Sequence, residues 1–412
     1  MKKNVLCILL VITAGFGCFA RTIRAGKHQP YTSIQQALNA AAAGDTVWVE
    51  AGNYREKNIV ISKPLVLTGD KYPVLDGESR YEIISVRAGN VTVKGFQLQH
   101  SGISSLEDIA GIKIYNTRNV VISDNILTDA FFGIYVQSGI NCTIENNRLH
   151  ASSQTEQQSG NGIHCWKSDS LRIIGNEISG HRDGIYFEFV TNSVIWRNLS
   201  ARNIRYGLHF MFSHNDAYIS NIFRNNGAGV SVMFTHGVKM FNNFFEDNWG
   251  DGAYGLLLKE ISDSYVTGNK FTNNTSGIFM EGVTRVQVEK NLFKSNGWGL
   301  KIQASCMDNT ITANNFMSNT FDIGTNGSLV LNSFNRNYWD KYEGYDLNRD
   351  NTGDIPFHPV SLFSVIVEKN PAAMVLFRSF MTTMLDKTER VLPSLTPENL
   401  RDDFPCMKPL HL

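Results

Sequence analysis

Histidine, methionine and aromatic residues recur at fixed places in the middle of this chain. Two and four residues after Gly162, Gly184, Gly207, Gly229 and Gly255 stand His164/Trp166, Tyr186/Glu188, His209/Met211, Ser231/Met233 and Leu257/Lys259. Seven residues after Gly207 and Gly229 stand His214 and His236. Imidazole nitrogen and thioether sulfur suit copper, the thioether Cu(I) above all. If the units carrying these residues stack in register, His209, Met211, His214, Met233 and His236 meet on one patch. The set lacks the cysteines and supporting acids of a closed structural site, so the chemistry it suggests is a transient, exposed copper contact. The competing explanation is accidental alignment, since the chain has 10 His and 11 Met and exposed histidines in a stack also ladder with one another.

Two other groups could do chemistry. Asp346, Asn348, Asp350 and Asp354, with Gly353, place oxygen ligands at alternate positions as a Ca²⁺ loop does, but without its terminal Glu or flanking helices. A metal-free Asp/Asn turn reads the same way. Asp183 and Glu188 are the carboxylates nearest to a glycan-cleaving pair. Five residues apart on a regular strand they fall on opposite faces, and the other acids are scattered singly. Trp166, Tyr186 and Trp196 could stack on sugars, which keeps a polysaccharide lyase, a hydrolase or a passive glycan binder as the alternative function.

The elements that must position these residues come from a repeat. Gly followed by an aliphatic residue recurs at Gly111, Gly133, Gly162, Gly184, Gly207, Gly229, Gly255, Gly277 and Gly299, most often 22 residues apart. Fourteen residues after each of the first eight lies an Asn, from Asn125 to Asn291; in the ninth unit the offset is sixteen, at Asn315. Positions one and three after each Gly are apolar, for example Ile134/Val136, Ile185/Phe187 and Val230/Val232, which is strand alternation with one buried face. A second apolar column stands three before each Asn. One such unit cannot bury its own faces, so the units must stack. The LxxLxLxxN pattern of leucine-rich repeats is absent, and β-branched and aromatic strands punctuated by Gly and Asn predict a right-handed parallel β-helix of about 22 residues per coil. The repeated Asn side chains are assigned to structure, as a hydrogen-bonded ladder in a turn.

A solenoid must close its ends. Thr32 or Ser33 followed by Gln35 or Gln36 predicts a capped N-terminal helix carrying Ile34, Ala37, Leu38 and Ala41 on one stripe. The β-helix is expected over residues 21–340. Residues 341–412 then hold the Asp/Asn-rich loop and an amphipathic helical tail from Val360 to Asp386, in which a helix opens at Pro371. Leu362, Met374, Phe377, Met381 and Met384 are its candidate partner contacts, set against folding back on the solenoid. Glu368, Lys369 and Arg378 interrupt the apolar run, so the tail does not span a membrane.

Lys2, Lys3 and the apolar run Val5–Phe16 predict a secretory signal over residues 1–20, cleaved after Ala20, with lipidation at Cys18 as the alternative. Its removal leaves 36 basic against 38 acidic residues, a net charge of −2 without long runs of either sign, which argues against a nucleic-acid partner. Cys142, Cys165, Cys306 and Cys406 remain, without CxxC spacing and with no forced disulfides.

The runs Gly180–Phe189, Arg205–His214 and Gly229–Phe234, with Asn337–Asp346, His358–Phe363 and Glu389–Pro393, resemble the NosD family over essentially the whole mature chain. The resemblance implies a periplasmic, non-enzymatic β-helix. It would work with an ABC-type permease and ATPase and a copper chaperone to assemble the copper sites of nitrous oxide reductase. It also implies copper handling at the His/Met patch and makes the helical tail the natural permease contact.

Overall fold

Stacking of the repeat produces three parallel sheets of fourteen, twelve and thirteen strands, in which each strand pairs with its counterparts one coil before and one coil after. The structure is a computed structural model and describes residues 20–104, 106–327, 331–377, 379–382, 384–385 and 400–412. The expected signal segment and the Glu389–Pro393 stretch therefore lie outside, or all but outside, the described residues. Every glycine-following strand turns its first and third residues into one continuous core, as with Ile134, Val136, Ile185 and Phe187. A third column, unread in the sequence, is aromatic. Phe223, Phe245, Phe271, Phe293, Phe316 and Trp339 stack in succession with ring centroids 4.3–5.5 Å apart.

Glycine begins each of these strands because the backbone there faces the neighbouring coil at close range. A Cβ on Gly184 would stand 2.0 Å from Ser200 Oγ and 2.7 Å from the Gly207 carbonyl. The pairing skips this residue, running Asp183↔Tyr206 and then Ile185↔Leu208. The strand bends at that point.

The asparagines form the expected ladder. Asn125, Asn147, Asn176, Asn198, Asn221, Asn243, Asn269 and Asn291 are buried, and each backbone N–H donates to the next side-chain oxygen at 2.8–3.0 Å. Their amide NH₂ groups donate to the same oxygen and to a carbonyl of the coil before, which satisfies three polar groups per coil without water. The ninth rung is Asn314, not Asn315: it continues the ladder to Asn337, whereas Asn315 pairs with the Leu410 backbone. The repeat is one residue out of step there, so offset counting picked the wrong neighbour of an Asn-Asn pair.

Both ends are covered. Helix α1, Ile34–Ala40, is capped by Ser33, whose hydroxyl accepts from the Gln36 N–H, and the Glu56 carboxylate accepts from the N–H groups of Ile34 and Gln35. At the other end Asp402 closes the ladder, accepting from Asn337 N–H, Asn337 Nδ2 and Trp339 Nε1. Parallel bridges Phe334↔Asp402 and Tyr338↔Cys406 add the final segment to the stack. In the tail, α2 spans Leu362–Lys369 behind a Ser361 cap, and Pro371 opens a 3₁₀ turn to Leu376 rather than a further α-helix. The helix thus starts nine residues before the position expected. Asn370 interrupts it, because the residue before a proline is disfavoured in helical geometry.

One rung of a second column carries an acid. Ser193 N–H donates to Asp216 Oδ1 at 2.6 Å, while Oδ2 is buried without a partner. Burial pushes this carboxyl up to about 8. The unfolded carboxyl ionises near pH 4, so between roughly pH 4 and 8 only the native state keeps the proton and stability falls as pH rises. Asn309 fills the equivalent rung by accepting from Val286 N–H and donating to a carbonyl. Asp216→Asn is therefore expected to remove most of that slope and to raise the urea midpoint at pH 8, read by denaturation at a series of pH values.

Candidate functional site

Two corners of similar sequence lie one above the other near the middle of the stack. Met211-Phe212-Ser213-His214 and Met233-Phe234-Thr235-His236 are 22 residues apart. Met211 and Met233 are register partners on adjacent strands. The rings of His214 and His236 stack at 4.1 Å between centroids with planes 10° apart. Ser213 fixes the bend, its hydroxyl accepting from Val190 N–H at 2.9 Å and donating to the Met211 carbonyl at 2.9 Å. Register thus brings four of the five candidate copper ligands onto one corner, thioethers in one column and imidazoles three residues further on.

Their electrostatics suit neutral ligands. Partial burial, with His236 alongside, holds the His214 imidazole below its usual range, so it is uncharged at neutral pH. His214 Nδ1 accepts from the His236 N–H at 3.3 Å, with Thr235 Oγ1 also at 3.3 Å, so the neutral ring carries its proton on Nε2 and a metal would bind only after that hydrogen bond is released or the tautomer changes. Two parallel imidazoles direct their lone pairs side by side, so both cannot point at one ion without ring rotation. The Tyr186 hydroxyl donates to Met211 Sδ at 3.8 Å.

His209 is placed differently. It shares the outer face with Met211, two residues on, but its side chain is only 9 % exposed and its Nδ1 lies 3.4 Å from Asp183 Oδ2. The expectation that residues two after each Gly are open to solvent fails here and at His164, Ser231 and Leu257, all of which are buried. A second layer covers that face: Phe132 packs edge-on against His164, and Tyr206 lies against His209. Burial, and then the nearby Arg182, lowers His164 to about 3.

Asp183 is the centre of this layer. Its fully buried carboxylate takes both Arg205 Nε and Nη2, at 2.9 and 2.6 Å. Burial raises its pKa, but the hydrogen bonds from His209 and Arg205 outweigh that and hold it below the usual carboxylate range. Strict alternation fails at Gly184, where a side chain would point inward as that of Ile185 does, and the Asp183 carboxylate lies against His209 of the outward column, so Asp183 and Glu188 do not fall on opposite faces. The separation inferred from a regular strand is thus corrected. A carboxylate saturated by arginine and histidine is nevertheless a poor proton donor or nucleophile.

Asp346, Asn348, Asp350 and Asp354 satisfy their own turn. Asp346 accepts from the N–H groups of Asp350 and Asn351, Asp350 from Thr352, and Asp354 from Leu347. Among the described residues no cluster of three or more His, Cys, Asp or Glu is arranged to hold a metal, and no helix is long and apolar enough to cross a membrane. In the tail, Phe377 turns back onto Phe363 and Phe321, and Lys301 pairs with Glu368 at 2.7 Å. Leu362 is partly buried, whereas Met374, Met381 and Met384 are exposed, beside Phe380 at 79 %.

Phe189, Phe212 and Phe234 escaped the sequence reading. They stack on the same corner with centroids 5.2 Å apart, and Phe189 and Phe234 are 45 % and 39 % exposed. The available signal was a bulky aromatic at a turn position that other coils fill with Asn116, Ser138 or Lys167.

Coils, sheets and an outer aromatic face define a pectate lyase-like parallel β-helix, and a family described as rhamnogalacturonase A/epimerase, pectate lyase-like, matches residues 26–232. The family described as periplasmic copper-binding protein (NosD) matches residues 150–344, the part that holds both Met-Phe-Ser/Thr-His corners. Proteins named probable ABC transporter binding protein NosD are 27 % identical in Pseudomonas aeruginosa, over 90 % of each chain, and 25 % identical in Stutzerimonas stutzeri, over 89 % of this chain and 87 % of that one. The chain belongs to the NosD family. Among solved structures, the A-module of a mannuronan C-5 epimerase from Azotobacter vinelandii is 18 % identical, with a TM-score of 0.51 over 74 % of this chain and 89 % of that one. That likeness concerns the fold alone.

Proposed function

We propose that the chain is an exported, non-enzymatic accessory protein that takes copper as cargo at the stacked corners and passes it on beside an ABC-type permease and ATPase, for the copper sites of nitrous oxide reductase. The observation that carries this reading is the in-register repetition of Met211/His214 above Met233/His236. Two thioethers, which are soft ligands, and an imidazole, which suits copper as a nitrogen donor, on an open surface are suited to quick exchange with a copper chaperone. The relatives' name as ABC transporter binding proteins supports the transporter, and the family's description supports copper and the periplasm. Met374, Met381 and Met384 in the tail, with Leu362 and Phe377 bracing it, are the proposed permease contact; exposed methionines adapt to an apolar partner. Calcium is not part of this reading, since the Asp346 loop satisfies itself.

Removing the protein from its host is expected to leave the reductase exported but poor in copper, measured by metal analysis of the purified reductase; normal copper content would defeat the proposal. With the purified chain, Met211→Leu/Met233→Leu is expected to weaken copper binding by roughly tenfold or more while leaving the melting temperature within a few degrees. His209→Gln is expected to act through the Asp183 ion pair on stability, with little effect on copper affinity.

A further inference from the structure

The fold asks for a small or polar residue at the turn after each outward strand. There the backbone is left-handed, and the coils before and after the site place Asn116, Ser138, Lys167, Glu260 and Gly282. Three successive central coils place phenylalanine instead, with φ of 54° at Phe189, 48° at Phe212 and 54° at Phe234. A bulky side chain in this region costs backbone energy that Asn or Gly avoids. The rings gain no core burial in return, because they lie on the outside. Their position in the chain is informative: Phe212 separates Met211 from His214, and Phe234 separates Met233 from His236. The thioether column and the imidazole column thus lie on either side, along the chain, of a partly exposed row of phenyl rings.

We infer that this row makes the paired corners selective for the oxidation state of copper, admitting Cu(I) and rejecting Cu(II); the inference rests on the copper reading above. Cu(II) prefers tetragonal nitrogen and oxygen ligands, whereas Cu(I) takes few ligands and favours sulfur. A dication loses more hydration than a monocation on entering an apolar surface, and aromatic faces return part of the loss to a cation. Most of the flanking charges are engaged with one another: Lys259, the register partner of Met233, pairs with Glu281, and Asp263 near His236 pairs with Arg285, while Glu188 is the register partner of Met211. The serine and threonine next to the histidine column, Ser262 and Thr191, are neutral.

The test titrates the purified full chain with Cu(I), without oxygen and against a chromogenic Cu(I) chelator, and separately with Cu(II). It compares the parent, Phe212→Asn/Phe234→Asn, and Met211→Leu/Met233→Leu. The parent is expected to bind Cu(I) on the order of 100-fold more tightly than Cu(II). The asparagine variant keeps all four ligands and is expected to narrow that ratio by about tenfold, while folding at least as well because Asn suits the left-handed turn. Equal affinity for the two ions, or an asparagine variant with the parent's ratio, would overturn the selectivity and leave the copper site standing. Failure of the parent to bind either ion would overturn both.

Discussion

Asp402→Ala is expected to unfasten the C-terminal coils, at a cost of several kcal/mol. The carboxylate accepts from the backbone N–H groups of Arg336, Asn337 and Phe404, and from Asn337 Nδ2 and Trp339 Nε1. Alanine leaves these donors without their acceptor, and three of them, Asn337 N–H, Asn337 Nδ2 and Trp339 Nε1, lie in a closed interior, at about 1–3 kcal/mol for each buried donor that water cannot reach. The ladder explains why an acid stands there. Each Asn both accepts from the coil before and donates its amide backward, so the last rung needs an acceptor only. Asp402→Asn keeps one acceptor and is expected to cost clearly less. Urea denaturation followed at Trp339 distinguishes the two variants, and amide exchange should show protection lost first around Asn314 and Asn337. An alanine variant as stable as the parent would mean that the last coil is not held through Asp402.

Arg205→Met is expected to lower stability by about 3–5 kcal/mol at neutral pH, because it strands a fully buried carboxylate that has lost its guanidinium partner. In the parent, Asp183 has a depressed native pKa. Its contribution is therefore present above the unfolded value near 4 and disappears as pH falls through the native value. Without Arg205, burial raises the carboxyl and the sign reverses: the variant gains relative stability as pH drops toward 4. Asp183→Asn/Arg205→Met should recover part of the loss. Midpoints measured between pH 4 and 8 test this, and a variant with the parent's pH profile would show that the pair does not control the layer beneath Tyr186.

These two sites also measure how far the sequence could be read. The coil architecture was legible because burial repeats along the chain: the Gly, the alternating apolar pair and the Asn recur at offsets that only stacking satisfies. Met211 over Met233 and His214 over His236 followed from the same register. What escaped depended on local departures from it. A break in alternation at a glycine put Asp183 on the outward face, a shift of one residue moved the ladder to Asn314, and a residue 65 positions beyond Asn337 supplied the closing rung. His209 appeared free because strand alternation distinguishes inward from outward. It does not reveal whether an outward side chain is roofed by aromatic rings from its own strand and from neighbouring coils, as Tyr206 and Tyr186 roof His209.

On the copper reading proposed above, the near-parallel imidazoles of His214 and His236 would set the tempo of exchange. An ion held by one thioether pair and one ring can be gained or surrendered by torsions of individual side chains, motions of picoseconds to nanoseconds on an exposed surface, with no strand or loop displaced. Residence time would then be governed by how often a rival set of ligands arrives, making the visiting protein, rather than any opening of the solenoid, the clock for delivery.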